Sequence, residues 1–123
     1  MGRCDTITHI ESMKYQVKSR IWIEADDKIL LGEGRVRLLK AIDENGSLSK
    51  ASKQLNISYK KAWRLIDAVN KTAEKPVTTS SIGGVGGGGV TLTPYGRSLV
   101  GAFETLNKNC WKFLDQQLNQ THF

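Results

Sequence analysis

Two hydrophobic periods run through this chain, and the change from one to the other marks its elements. From Tyr15 to Leu31 apolar and polar residues alternate. Val17, Ser19, Ile21 and Ile23 share one face, and Lys18, Arg20, Trp22 and Glu24 share the other. A period of two is the mark of a half-buried strand. Ala25-Asp26-Asp27-Lys28 has turn chemistry, and Ile29-Leu30-Leu31 returns as a second strand before Gly32. The pattern predicts a β-hairpin over 15–31. Residues 1–14 carry neither period and read as a flexible N-terminal extension ahead of one domain over 15–123.

From Gly34 the period becomes helical. Val36, Leu39 and Ile42, supported by Leu38, form an apolar stripe that stops at Glu44-Asn45-Gly46, a good C-terminal stop. Ser47 then offers an N-cap for a short helix whose inner face is Leu48, Ala51, Ser52 and Leu55. Asn56 tolerates the left-handed conformation of a tight turn. After Ile57, Ser58 caps a third helix running to about Lys71. Two short helices joined through Asn56-Ile57-Ser58 have the spacing of a helix-turn-helix over 47–71. An ordinary helical hairpin has the same outline, so the charges must separate the two.

At about 100° per residue, Tyr59, Ala62, Trp63, Ile66 and Val69 fall on one side of the third helix and are expected to pack. Lys60, Lys61, Arg64, Asp67 and Lys71 share the other side. The net charge of +6 is concentrated in the same region. Residues 34–75 hold ten Lys/Arg against four Asp/Glu, whereas residues 1–33 hold five against six and residues 76–123 three against two. Such a concentrated excess is the footprint of a protein that meets polyanions. Arg64 suits a bidentate grip on a guanine edge, and the lysines suit phosphate. Ser58 and Lys60 stand at a helix N-terminus, which already favours an anion.

Six of the twelve glycines lie within residues 83–89. Gly84 to Gly89 formally matches GxGxxG, but that fingerprint needs a helix to open directly from it, and Val90-Thr91-Leu92 is strand-like. No Gly-Lys-Ser/Thr ending follows, so a P-loop is excluded too. Val77-Thr78-Thr79 before the glycines and Val90-Thr91-Leu92 after them predict a hairpin over 77–92. A hairpin directly after a helix-turn-helix is a wing. Thr93 caps a last helix with Pro94 in its first position, expected over 94–118. Leu99, Phe103, Leu106, Cys110 and Phe113 recur along it at heptad-like steps, widened by Val100, Trp111, Leu114 and Leu118. So broad an apolar face needs a partner, either its own domain's core or the same helix of a second chain. The symmetric dimer is the favoured expectation. The fold class is therefore α+β and mainly helical, a winged helix-turn-helix with an N-terminal β-hairpin and a long C-terminal dimerisation helix.

At 123 residues the chain can bury one real core, and 39% apolar with 24% charged residues is ordinary for a globular protein. Its uninterrupted apolar stretches are a few residues long, too short for a spanning helix or a secretory signal, so no membrane and a cytoplasmic location are expected. Cys4 and Cys110 lack a CxxC partner, and His9 and His122 lie near the ends, so no metal is expected. No paired carboxylates share a face and no Cys/His dyad appears. An enzyme is not expected, nor is any cofactor.

The run GSLSKASKQLNISYKKAW (46–63), with GGVGGGG (83–89) and LTPYG (92–96), resembles the N-terminal domain of ModE-type molybdate-responsive regulators. Its helix-turn-helix is also similar to that of LysR-type regulators. The resemblance covers roughly residues 15–118. It implies a homodimeric winged helix that binds double-stranded promoter DNA and regulates transcription, with a recognition helix over Ser58 to Asn70. Ser58, Tyr59, Lys60, Lys61 and Arg64 then lie where the family contacts DNA. The resemblance places the wing over Gly83 to Thr91, and Lys50, Lys71, Gly86, Gly87 and Thr91 are further DNA-binding candidates.

This sequence departs from the family in two ways. The family's C-terminal oxyanion-binding domains do not follow before Phe123, so no molybdate is expected on this chain. The family's basic wing residues are replaced by Val85 and by the uncharged Thr79-Ser80-Ser81-Ile82. The competing expectation is a winged-helix protein-interaction module with weak or no specific DNA binding.

Overall fold

A hairpin with a two-residue turn opens the described structure. The computed structural model describes residues 13–80 and 89–123. Most of the expected extension, and residues 81–88 with Gly86 and Gly87, lie outside the described residues. Contacts group the chain into two units: Arg20–Lys108 is one, and the described residues before Arg20 and after Lys108 belong to the other.

In the larger unit β1 (Trp22–Ala25) pairs antiparallel with β2 (Lys28–Gly32). Asp26 and Asp27 carry the turn with φ of 51° and 65°, the left-handed pair that matches the twist of the flanking strands. Ile23 faces Leu31 while Glu24 faces Ile29, so Leu30 is an extra residue on β2. The bulge lets two successive side chains, Leu30 and Leu31, both reach the core. Pairing is confined to 22–32, shorter than the hairpin expected over 15–31. The tight turn fixes the register, and β2 ends where a helix begins at Glu33, so residues before Trp22 have no strand to pair with. The alternation of exposure nevertheless continues back to Val17.

Three helices follow: α1 (Glu33–Asn45), α2 (Leu48–Gln54) and α3 (Tyr59–Thr72). α1 ends as the sequence expects, at Gly46 with φ of 68°, whose N–H donates to the Ile42 carbonyl. Ser47 and Ser58 cap α2 and α3 by accepting from the Lys50 and Lys61 N–H groups at 3.1 and 3.0 Å. Between α2 and α3, Asn56 is left-handed, with φ of 58°. Its N–H donates to the Lys53 carbonyl, and that of Ile57 to the Ser52 carbonyl. Those two bonds are the Schellman closure, and they set the angle of the helix-turn-helix. Leu38, Leu39, Ala41, Ile42, Ala51, Ala62 and Val69 are fully enclosed where the three helices meet.

The wing strands β3 (Thr78–Ser80) and β4 (Val90–Leu92) pair antiparallel, Thr79 opposite Thr91. The Asn70 side chain near the end of α3 holds their root. Its Oδ1 accepts from the Val77 and Thr78 N–H groups at 2.7 and 3.4 Å, and its Nδ2 donates to Thr78 Oγ1 at 3.0 Å. On the other strand the Val90 N–H donates to the Gly46 carbonyl at 3.1 Å.

α4 (Pro94–Asn119) starts on a doubly used Thr93. Its hydroxyl accepts from the Gly96 N–H at 2.9 Å and donates to the Pro76 carbonyl at 2.8 Å. Gly96 is glycine for a steric reason. A Cβ there would fall well inside contact distance of the Val77 carbonyl oxygen and 3.0 Å from Val77 Cγ1. Val100 and Phe103 then enter the core. Lys40–Glu104 and Arg97–Asp43 pairs at 2.6 and 3.1 Å flank that contact, although exposed pairs add little beside apolar burial.

In the smaller unit the Tyr15 ring stacks on Phe123 with centroids 5.1 Å apart, and Ser19 Oγ lies 3.7 Å from Cys110 Sγ.

Candidate nucleic-acid interface

Helix α3 offers three different surfaces. Its buried side is Ala62, Ile66 and Val69, with Leu65 partly covered. Tyr59 and Trp63 do not belong to it: they are 56% and 52% exposed, which corrects the expectation that both pack. The packed side is centred nearer Leu65 and Val69 than a wheel anchored on the two aromatics suggests. The aromatic rings instead line an open groove of about 240 Å³ between α3 and the wing, facing Thr78, Ser80 and Val90.

Lys60 and Arg64 stand a turn apart on the outward side, both exposed. The first-turn N–H groups of a helix lack intrahelical partners, and Ser58 occupies that of Lys61. The Tyr59 and Lys60 end of the helix is therefore a place where an anion is welcome. Lys61 lies about a quarter turn further round, on the flank toward β1 and β2. Lys71 is eleven residues beyond Lys60, roughly 16 Å along the axis, and is engaged with Asp67 at 2.9 Å. It is thus set apart from the cluster at the start of the helix. Lys50 is exposed in the first turn of α2. Thr91 is exposed on the wing, its hydroxyl 3.3 Å from that of Thr79 across the strands.

Of the expected dimer residues, Phe103 is 3% exposed in the chain's own core, and Leu99 packs partly against that core. Leu106 and Phe113 are 53% and 58% exposed, and Cys110 is half-buried beside Ser19. The heptad stripe is thus divided between the chain's own core and an exposed remainder. Periodicity alone cannot make that division.

Among the described residues no three His, Cys, Asp or Glu side chains gather as a metal site, and no helix is long and apolar enough to cross a membrane. Sequence reasoning passed over Arg35. It is half-buried at the start of α1, donates to the Ile29 carbonyl, and has its pKa lowered by burial.

Residues 34–97, from the start of α1 through the wing into α4, match the family described as bacterial regulatory helix-turn-helix proteins of the lysR family. The chain belongs to that family. The matched stretch holds the helix-turn-helix and the described wing strands, the part of the chain that carries the candidate interface.

The chain is also similar to the molybdenum transport protein ModE of Azotobacter vinelandii. Identity is 38% over 98 residues, covering 80% of this chain and 36% of the relative. It is 35% identical over 91 residues to the DNA-binding transcriptional dual regulator ModE of Escherichia coli K12, covering 74% of this chain and 35% of the relative. These matches uphold the ModE-type resemblance. The chain spans about a third of the length of these curated relatives. Among solved structures, Lactococcus lactis ZitR (E41A mutant) superposes with a TM-score of 0.53 at 15% identity. It covers 98% of this chain and 81% of ZitR, a likeness of fold alone.

Proposed function

We propose that this family member is a cytoplasmic, homodimeric regulator that reads operator DNA by placing α3 in the major groove. The observation that carries the proposal is the outward face of α3, where Lys60 and Arg64 stand exposed beside a capped N-terminus. In this reading Arg64 meets a base edge, and Ser58, Tyr59, Lys60 and Lys61 meet the backbone around it. Lys50, Lys71 and the wing from Gly86 to Thr91 extend the contact. The exposed Leu106 and Phe113 support pairing of two chains through α4, which would present two recognition helices to a two-fold site.

Selection of bound fragments from a random duplex pool tests this directly. A two-fold symmetric motif is expected. Arg64→Ala should weaken binding to that motif by about 1–3 kcal/mol and flatten preference at one base position, while Lys60→Ala weakens all sequences alike. Leu106→Asp should shift the chain to monomer in sedimentation and lose the paired motif. An empty selection at low salt would discard DNA reading in favour of a protein-interaction module.

A further inference from the structure

On the flank of α3 opposite the wing lies an open cavity of about 460 Å³, bounded by β1, β2, the start of α1 and Lys61 with Leu65 of α3. Arg20, Arg35, Arg37 and Lys61 line it against a single acid, Glu33, which is engaged with Arg37 at 3.1 Å. Arg35 gives one N–H to the Ile29 carbonyl, and a guanidinium has five. The start of α1 adds to the same potential. Its N-cap is Gly32, whose missing side chain leaves the first-turn N–H groups without a cap, and the helix dipole points its positive end there.

We infer that this cavity is a second DNA-backbone site, a cradle for phosphodiester oxygens of the strand on the far side of the groove from the wing. The inference rests on the major-groove reading of α3. A helix roughly 10–12 Å across fills a groove about 12 Å wide, so a sugar–phosphate strand runs beside each flank. Tyr59 and Trp63 mark the flank toward the wing, and Lys61, about half a turn round from them, marks the flank toward the cavity. The chain over 77–92 contains no Lys or Arg. The cations therefore stand on the hairpin side, and Lys61 joins them to the recognition helix. Phosphate is the chemistry such a cluster takes, and guanidinium forks suit its oxygens in pairs.

The test uses the full chain and the duplex recovered by selection, with affinity measured by fluorescence anisotropy across a salt series. Arg20→Ala with Arg37→Ala leaves the Arg35–Ile29 bond in place. It should make the slope of log affinity against log salt shallower by about 1.8, from ~0.9 per lost phosphate contact. That corresponds to roughly 30-fold weaker binding at 0.15 M salt, with base preference unchanged. Arg20→Lys with Arg37→Lys should restore most of the slope, which a folding defect would not allow. An unchanged slope in the alanine pair, with the parent chain binding normally, overturns the cradle and leaves the α3 reading standing. Failure of the parent chain to bind any selected duplex overturns both. A pyrophosphate titration of the DNA-free chain, followed by the Gly32 and Gly34 amide resonances, separates the remaining source. Sub-millimolar binding there with an unchanged DNA slope means a small phosphate ligand and refutes the backbone site.

Discussion

A methyl group added at Gly96 puts the junction of wing and last helix to a quantitative test. Its Cβ would run into the Val77 carbonyl oxygen and come within 3.0 Å of Val77 Cγ1. Carbon contacts are comfortable near 3.5–4.0 Å, and the obstructing atom is backbone, so no rotamer change relieves the clash. Either α4 retreats from β3 or the wing root moves. Overpacking of this kind costs about 1–3 kcal/mol. Replacing a helical glycine by alanine returns about 0.5–1 kcal/mol from backbone entropy. Gly96→Ala should therefore lose about 1 kcal/mol net, within a span of roughly 0–2.5 kcal/mol.

Gly101, one and a half turns along the same helix, has nothing within 4 Å of its added Cβ, so Gly101→Ala should gain the whole 0.5–1 kcal/mol. The two variants should differ by about 2 kcal/mol, or roughly 1 M in urea midpoint at a slope near 2 kcal/mol/M. Urea melts followed by far-UV circular dichroism read that difference. Coincident midpoints, or a Gly96→Ala chain more stable than the parent, would refute the close approach of α4 to Val77.

Asn70→Ala removes the side-chain oxygen that accepts from the buried Val77 N–H. It should cost about 1–3 kcal/mol in a thermal melt while leaving the helical signal intact. At Asn56, with its φ of 58°, Asn56→Ala should cost about 1 kcal/mol and Asn56→Gly clearly less, although glycine is the poorer residue elsewhere. Equal losses from the two would mean that the turn is not left-handed in solution.

Local chemistry was the legible part of this fold. Ser47, Ser58 and Thr93 announce caps by residue type and position, and Gly46 and Asn56 announce left-handed stops. Each is decided within four residues of itself, so no tertiary knowledge is needed. Width and direction of a packed face are different. Tyr59 and Trp63 are apolar and helically spaced with Ile66, yet α1, α2 and β2 meet α3 closer to Leu65 and Val69, and the rings are left outside. Phe103 and Leu106 belong to one heptad stripe, and only the position of the core separates them. The basic cavity was hidden by counting along the chain. Arg20 sits in a segment whose charges nearly cancel, and its neighbours in space come from α1 and α3.

The wing root is tied at both strands, by Asn70 of α3 to Val77 and Thr78, and by the Gly46 carbonyl to Val90. The strand pair Thr78–Ser80 and Val90–Leu92 is therefore moored at both of its bases. For an engineer this makes it a fixed mount. Side chains exchanged at the exposed Thr79 and Thr91 can be compared without redesigning the scaffold that carries them. Lysines placed there would turn the wing's missing charge into an adjustable quantity.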